Sequence, residues 1–347
     1  LSLSLSLSLS LSLSLSLSLS PHLSLSPFTS LVFFFPPHPL DTIHPSQLVS
    51  LFFFPASSGI RAAQYSRCLG DVYSRQRYYR SVSVPALHTH DISGVPALFK
   101  SFSEQAVLDY DVYLETRSGS ALDFHLENKL AVIGKQPWDQ VVMHGYSTLD
   151  SKKPGDPAML VETTVKLSTF LQQLNPNVEV FLSATWSRAD LIYQADRHWS
   201  GTPISKMALD IRAGYDLAAA AAPAVKAVNG VGEAWTRAMV LGIADTNPYD
   251  GIEFGKVSLW SWDYYHASTH GYYLQALVVF GNLTGLDPRS LGRNECSGFE
   301  LGMSRHAVNM LQQAAFEQLV SESKVKAAPL IISKSVYPKR CALNKPE

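Results

Sequence analysis

Trp138-Asp139-Gln140-Val141-Val142-Met143-His144-Gly145-Tyr146-Ser147 reads as a short apolar strand that runs out into a polar turn. Its consecutive large apolar residues leave no polar face, the pattern of a strand covered on both sides. A helix follows from Asp156 or Pro157 to about Leu174, where Asn175-Pro176-Asn177 stops it. Val178–Ala184 is the next strand. The pattern continues downstream. A helix over Ile204–Ala222 is spaced by Met207, Ile211, Tyr215 and Leu217 and closed by Pro223. A strand at Ala227–Gly232 and a helix at Glu233–Gly242 come next. A long loop from Asp245 to Trp262 precedes helices at Ser268–Thr284 and Gly302–Ser321. Upstream, Ala97, Leu98, Phe102 and Ala106 mark a helix opening at Gly94. Tyr110–Glu115 is β-rich, Gly119 sits in a turn, and Leu122–Val132 holds a short helix. Strands alternating with helices over residues 94–285 predict βαβ units and a mainly parallel sheet. Such sheets bind ligands beyond the carboxyl ends of their strands. That rule puts Gly119, His144–Ser147, Thr185–Arg188 and the 245–268 loop on one rim.

The first sixty residues are of another kind. Residues 1–20 are ten Leu-Ser repeats, and the chain remains rich in Leu, Ser, Phe and Pro to about Pro55. A CT dinucleotide repeat read in codons encodes Leu-Ser, so residues 1–60 are expected to be low-complexity, disordered or artefactual sequence. Leu51–Phe54 is their only strand candidate. A signal peptide would need a basic start, and no Lys or Arg occurs before Arg61. Alternate serines and many prolines also break any membrane-spanning run. The expected organisation is an irregular stretch at 61–92, a folded domain over 93–321 and a loose tail at 322–347. Lys and Arg number 28 against 29 Asp and Glu, a formal charge of −1 that offers no attraction to nucleic acid or an anionic membrane. Cys68, Cys296 and Cys341 match no metal or redox spacing. Asn282-Leu283-Thr284 is a glycosylation sequon, but it falls inside a predicted helix, where a chance match is expected.

The chemistry concentrates in Asp263-Tyr264-Tyr265-His266-Ala267-Ser268-Thr269-His270-Gly271. An acid three residues before an imidazole can hold one tautomer and support the cation formed on protonation. Trp260, Trp262, Tyr264 and Tyr265 surround the pair, and Ser268 is placed to cap the next helix. His266 and His270 at i, i+4 could instead join Asp263 as metal ligands, but no Glu adjoins the first His as in a metalloprotease. Trp186-Ser187-Arg188-Ala189-Asp190 follows a strand on the same rim. Its Arg188 can contact a substrate carboxylate or sugar hydroxyls, or pair with Asp190. His198-Trp199 reads as a surface loop or a pocket wall.

Asp263-x-x-His266-x-Ser268-x-x-Gly271-x-Tyr273-Leu274-x-Ala276, followed by Leu283-Thr284-Gly285, resembles the last block of the SGNH (GDSL-like) hydrolase superfamily, and most of all its bacterial DUF4886-type branch. Val231-Gly232-Glu233-Ala234-Trp235 is similar to the strand-to-helix step before that block, and Ser118-Gly119-Ser120 to the second block. The resemblance covers roughly residues 93–290. It implies a three-layer, flavodoxin-like α/β fold with helices on both faces. It also implies serine ester hydrolysis without a cofactor or metal, on a small-molecule or carbohydrate acyl ester, and a secreted location like many of the branch. His266 would be the general base, Asp263 its orienting acid and the Gly119 N–H an oxyanion donor. The family's third-block Asn or Gln has no clear match here; the Tyr146 hydroxyl or His144 could substitute, or this subfamily differs. His144, Arg188 and Trp186 are the substrate-binding candidates. The family's nucleophile block, Gly-Asp-Ser or Gly-Asn-Ser after the first strand, is degenerate. Leu51-Phe52-Phe53-Phe54-Pro55-Ala56-Ser57 offers Ser57 in register, whereas Gly70-Asp71-Val72 has valine at the serine position with Ser74 out of register. The alternative expectation is an inactive scaffold without its nucleophile, at most a ligand-binding module.

Overall fold

A computed structural model describes the backbone of residues 48–54 and the chain from residue 94 to residue 326. Ser57 and Ser74 lie outside the described residues, as do the rest of the 1–60 and 61–92 segments and the tail beyond residue 326.

The elements in order are β1 (Leu48–Phe54), α1 (Gly94–Gln105), β2 (Tyr113–Ser118), α2 (Leu122–Asn128), α3 (Leu130–Ile133), β3 (Gln140–Met143), α4 (Ala158–Leu174) and β4 (Glu179–Ala184). They continue as α5 (Ala189–Ile192), α6 (Ile204–Ala221), β5 (Val225–Gly230), α7 (Val231–Val240), α8 (Thr269–Thr284), a 3₁₀ turn (Pro288–Leu291), α9 (Cys296–Glu300) and α10 (Arg305–Ser321). The stop signals act by the expected physics. Asn175 and Ala222, each before a proline, are extended, because the proline ring excludes the helical region for the residue ahead of it. The helix predicted over Leu122–Val132 is broken at Lys129, and the strand predicted at Tyr110–Glu115 begins only at Tyr113. Tyr110 is held before the strand by an edge-on contact with Phe99 and by donation from Lys100 Nζ to its carbonyl at 2.5 Å.

The sheet order is β2-β1-β3-β4-β5. β3, β4 and β5 are parallel, with Val142 opposite Phe181 and Leu182 opposite Val228. β1 is antiparallel to both β2 and β3, so β2 runs in the same direction as the parallel trio. Phe54, at the end of β1, pairs with Gln140, where β3 begins. Phe54 therefore lies at the edge opposite the one where β2 to β5 end.

Helices cover both faces. Along β3, Val141 and Met143 enter one core while Val142 enters the other; along β4, Val180, Leu182 and Ala184 alternate in the same way with Phe181. Strand periodicity of two thus explains why these segments are apolar throughout. One core packs α1, α7, α8 and α10 through Phe99, Trp235, Leu277, Phe280 and Leu311. The other packs α4 and α6 through Leu167, Met207, Ile211 and Tyr215. Trp199, read as a surface or pocket residue, is only 2% exposed in this second core, and its indole donates to Asp210 at 3.0 Å. The first core reaches Val325, past the end of α10, and Glu322 accepts from Arg212 at 2.7 Å. Cys296 is disulfide-bonded; Cys68 and Cys341 lie outside the described residues. Asn282 of the sequon donates into β5, to Asn229 Oδ1 at 2.7 Å and Val228 O at 3.3 Å, so its amide is engaged inside the fold. No helix among the described residues is long and apolar enough to cross a membrane.

Burial on this scale makes the two sides of the sheet sensitive to truncation. Phe181→Ala is expected to lower stability by about 3–5 kcal/mol in urea denaturation. Leu217→Ala, on the exposed side of α6, is expected to stay within about 0.5 kcal/mol.

Candidate active site

Because β2, β3, β4 and β5 point the same way, their ends deliver Gly119, His144, Thr185 and Val231 to one edge of the sheet. The loop after α7 is stapled by Asp245, whose carboxylate accepts from the Asn247 and Glu253 amides at 2.9 and 2.7 Å. It returns as a short antiparallel bridge between Trp260 and Ala267. Ser261 donates to the His266 carbonyl at 2.7 Å, which closes the turn that carries the acid and the imidazole. Ser268 then caps α8 as expected. Its Oγ accepts from the His270 and Gly271 amides and donates to the Ser258 carbonyl.

Asp263 and His266 meet directly. The His266 Nδ1–H donates to Asp263 Oδ2 at 2.5 Å. The second carboxylate oxygen accepts from the amides of His266 at 2.9 Å and Tyr265 at 3.1 Å. The side chains are 12% and 15% exposed. Burial pushes the Asp263 carboxyl up, but the hydrogen bonds from the His266 ring and from both amides outweigh it and hold the group below its ordinary value. Among the described residues, the His266 ring hydrogen-bonds only through Nδ1, and Nε2 has no partner. The carboxylate therefore fixes the imidazole through Nδ1 and leaves Nε2 outside the hydrogen bonds of the turn. Metal binding by Asp263, His266 and His270 finds no counterpart, since among the described residues no three His, Cys, Asp or Glu side chains converge on one point. Asp263 spends its oxygens on His266 and the turn, and His270 is lowered in basicity by burial.

The remaining rim candidates fall into two groups. Trp186 and Arg188 join the acid–base turn. The Trp186 indole N–H donates to the Tyr265 carbonyl at 3.0 Å, and its ring stacks on Trp235 at 4.6 Å. Arg188 pairs bidentately with Asp190, its Nε reaching Oδ1 at 3.0 Å and its Nη2 Oδ2 at 2.5 Å, and it reaches Ser147 Oγ at 3.5 Å. The rim salt bridge is thus the one of its two sequence readings seen here. Gly119, His144 and Tyr146 share the edge but are not hydrogen-bond partners of His266. Gly119 has φ +71°, a left-handed conformation natural to glycine, in the turn after β2. The His144 ring donates to the Gly145 carbonyl at 3.1 Å. Tyr146 is bridged to Leu149, and burial, followed by the charge of Asp123, raises its phenol, so it stands as a hydrogen-bond donor at neutral pH. Sequence reasoning missed Tyr265 as a specific partner. It stood only as aromatic bulk, yet its ring lies 4.2 Å from the His266 ring and 3.6 Å from the Arg188 guanidinium. Adjacency to His266 was the available signal.

Fold and site together define an α/β protein with a parallel three-stranded core between helical layers and an oriented acid–base pair at the strand ends. A solved structure of a DUF4886 family protein from Bacteroides uniformis is similar to it, with a TM-score of 0.47 and 15% identity over 66% of this chain and 90% of that chain. No family model matches the chain, and no curated protein matches it.

The depressed Asp263 carboxyl links the site to stability. A folded-state value below the unfolded one contributes stability that is present at neutral pH and lost as pH falls through the folded value. Asp263→Asn is therefore expected to be less stable than the parent chain at pH 7. The gap should narrow as pH drops below about 4, the ordinary Asp range, in paired urea titrations.

Proposed function

We propose that this chain is an α/β ester hydrolase of SGNH type acting on a small-molecule or carbohydrate acyl ester, with His266 as general base and Asp263 as its orienting acid. The observation that carries this reading is the 2.5 Å bond from His266 Nδ1 to Asp263, with Nε2 uncommitted among the described residues. In the proposed reaction a serine Oγ attacks the acyl carbonyl and its proton passes to His266 Nε2. The oxyanion accepts hydrogen bonds from the Gly119 N–H and the Tyr146 hydroxyl, donors of a kind worth about 2.7–4 kcal/mol each. Collapse expels the alcohol, which takes the proton from His266, and water repeats the cycle on the acyl-enzyme. Ser57 is the nucleophile candidate. His144 and Trp186 are proposed to contact the substrate, together with whatever face of Arg188 its pair with Asp190 leaves open.

One observation favours a second reading, an inactive scaffold that at most binds a ligand. β1 runs antiparallel to β3, and its last described residue, Phe54, pairs with Gln140 at the start of β3, the edge opposite the one that carries His266. A fluorophosphonate probe separates the two. Labelling of the folded chain, reduced at least about a hundredfold in rate by His266→Ala, is expected for the hydrolase. Loss of labelling in Ser57→Ala would assign the nucleophile. Folded protein that takes up no label supports the inactive scaffold.

A further inference from the structure

The stretch after β4 and the acid–base turn are joined at three points by hydrogen bonds. Trp186 Nε1 donates to the Tyr265 carbonyl at 3.0 Å, Trp260 Nε1 to the Ser187 carbonyl at 2.9 Å, and the Asp190 amide to the Tyr264 carbonyl at 3.3 Å. Tyr264 has φ +57°, which side chains other than glycine rarely adopt, so the turn holds a conformation that its neighbours must sustain. Between these ties the side chains form layers. The Asp190 carboxylate grips the Arg188 fork at two points. The Arg188 guanidinium carbon stands 3.6 Å from the Tyr265 ring centre. The Tyr265 ring lies 4.2 Å from the His266 ring, inclined by 30°. Asp263 then takes His266 Nδ1 from the side.

We propose that Arg188 and Tyr265 are positioning residues that set the plane of the His266 imidazole; the proposal rests on the acid–base reading given above. A ring held by one hydrogen bond keeps a freedom: it can tilt about the line from Nδ1 to the carboxylate oxygen. Such a tilt leaves the bond to Asp263 intact but swings Nε2 away from its target. A flat surface against the ring removes that tilt, and Tyr265 supplies it. Tyr265 needs a backing of its own, which Arg188 provides from the far side. The bidentate pair with Asp190 fixes the guanidinium plane, and a cation over an aromatic face is attracted to it. Lysine cannot substitute, because an ammonium has no plane to lay against the ring and no fork for the carboxylate. The Tyr265 hydroxyl is dispensable to this function, since the ring faces do the positioning. Burial and the order Asp190, Arg188, Tyr265, His266, Asp263 thus make one continuous layer across two loops.

The test follows the His266 Nδ1 proton by NMR in the full chain, where a short bond to a carboxylate gives a far-downfield resonance. The resonance is assigned by its loss in His266→Gln and in Asp263→Asn. Its exchange rate with water reports how well the ring is held, whether or not the protein turns over an ester. Tyr265→Phe is expected to match the parent chain. Tyr265→Ala, Arg188→Ala and Arg188→Lys are expected to exchange about tenfold faster, in keeping with the strength of a cation–π stack. Thermal unfolding identifies any variant that fails to fold; if Tyr265→Ala does, Tyr265→Leu and Arg188→Lys carry the comparison. Parent-like exchange in Arg188→Lys and in the folded Tyr265 truncation overturns the proposal, and so does a parent chain without the resonance. A resonance that behaves as expected in a chain that a fluorophosphonate never labels retains the positioning and removes only the hydrolase reading.

Discussion

The indole of Trp235 lies flat on Trp186 at 4.6 Å, inclined by 6°, and the placement of the acid–base turn depends on that contact. Trp235 belongs to α7 and Trp186 to the exit from β4, so the stack ties a helix to the edge of the sheet. Trp260 meets Trp235 edge-on at 5.6 Å and hydrogen-bonds to Ser187, which brings the loop down onto the same platform. Stacked and edge-on aromatic pairs add about 0.5–1.5 kcal/mol beyond the area they bury. Two glycines permit the approach. A Cβ on Gly271 would stand 2.5 Å from the Trp235 ring, and one on Gly232 would stand 2.4 Å from the Thr185 carbonyl. α7 and α8 can therefore reach the strand ends only because those positions carry no side chain.

Above this platform the acid and imidazole are held by short-range bonds, and the Asp263 carboxylate does two jobs. One oxygen shapes the turn through two amides and the other receives the imidazole N–H. The cost of burying that charge is offset by three donors, so the group remains ionised and its partner keeps one tautomer. An antiparallel strand lodged between β2 and β3 pairs with both neighbours, and its last described residue, Phe54, lies at the edge where β3 begins.

Much of the fold was legible because its signals are local. The apolar runs of β3 and β4, the prolines after Asn175 and Ala222, the Ser268 cap and the left-handed Gly285 that ends α8 all act within a few residues. Asp263 and His266 were legible for the same reason: three residues apart in a turn, they needed no distant partner to meet. The misplacements have physical causes too. Tyr110 has strand character, but its contacts with Phe99 and Lys100 hold it outside the sheet. Trp199 lies in a segment that reads as loop, yet it is drawn into the core beside α6, with Asp210 to take its N–H.

By itself the sequence determined the α/β alternation, the rim on which the candidate residues gather and the acid–base pair, since each depends on spacing along the chain. Tertiary structure alone decided the direction of β1, the hydrogen bonding of Asn282 to β5, and the layering of Arg188, Tyr265 and His266. A strand's direction is set by which neighbour accepts its hydrogen bonds, and ring stacking requires two loops to arrive at one place. Neither is written in the order of residues, because both arise only when segments distant in the chain are brought together by the burial of their apolar faces.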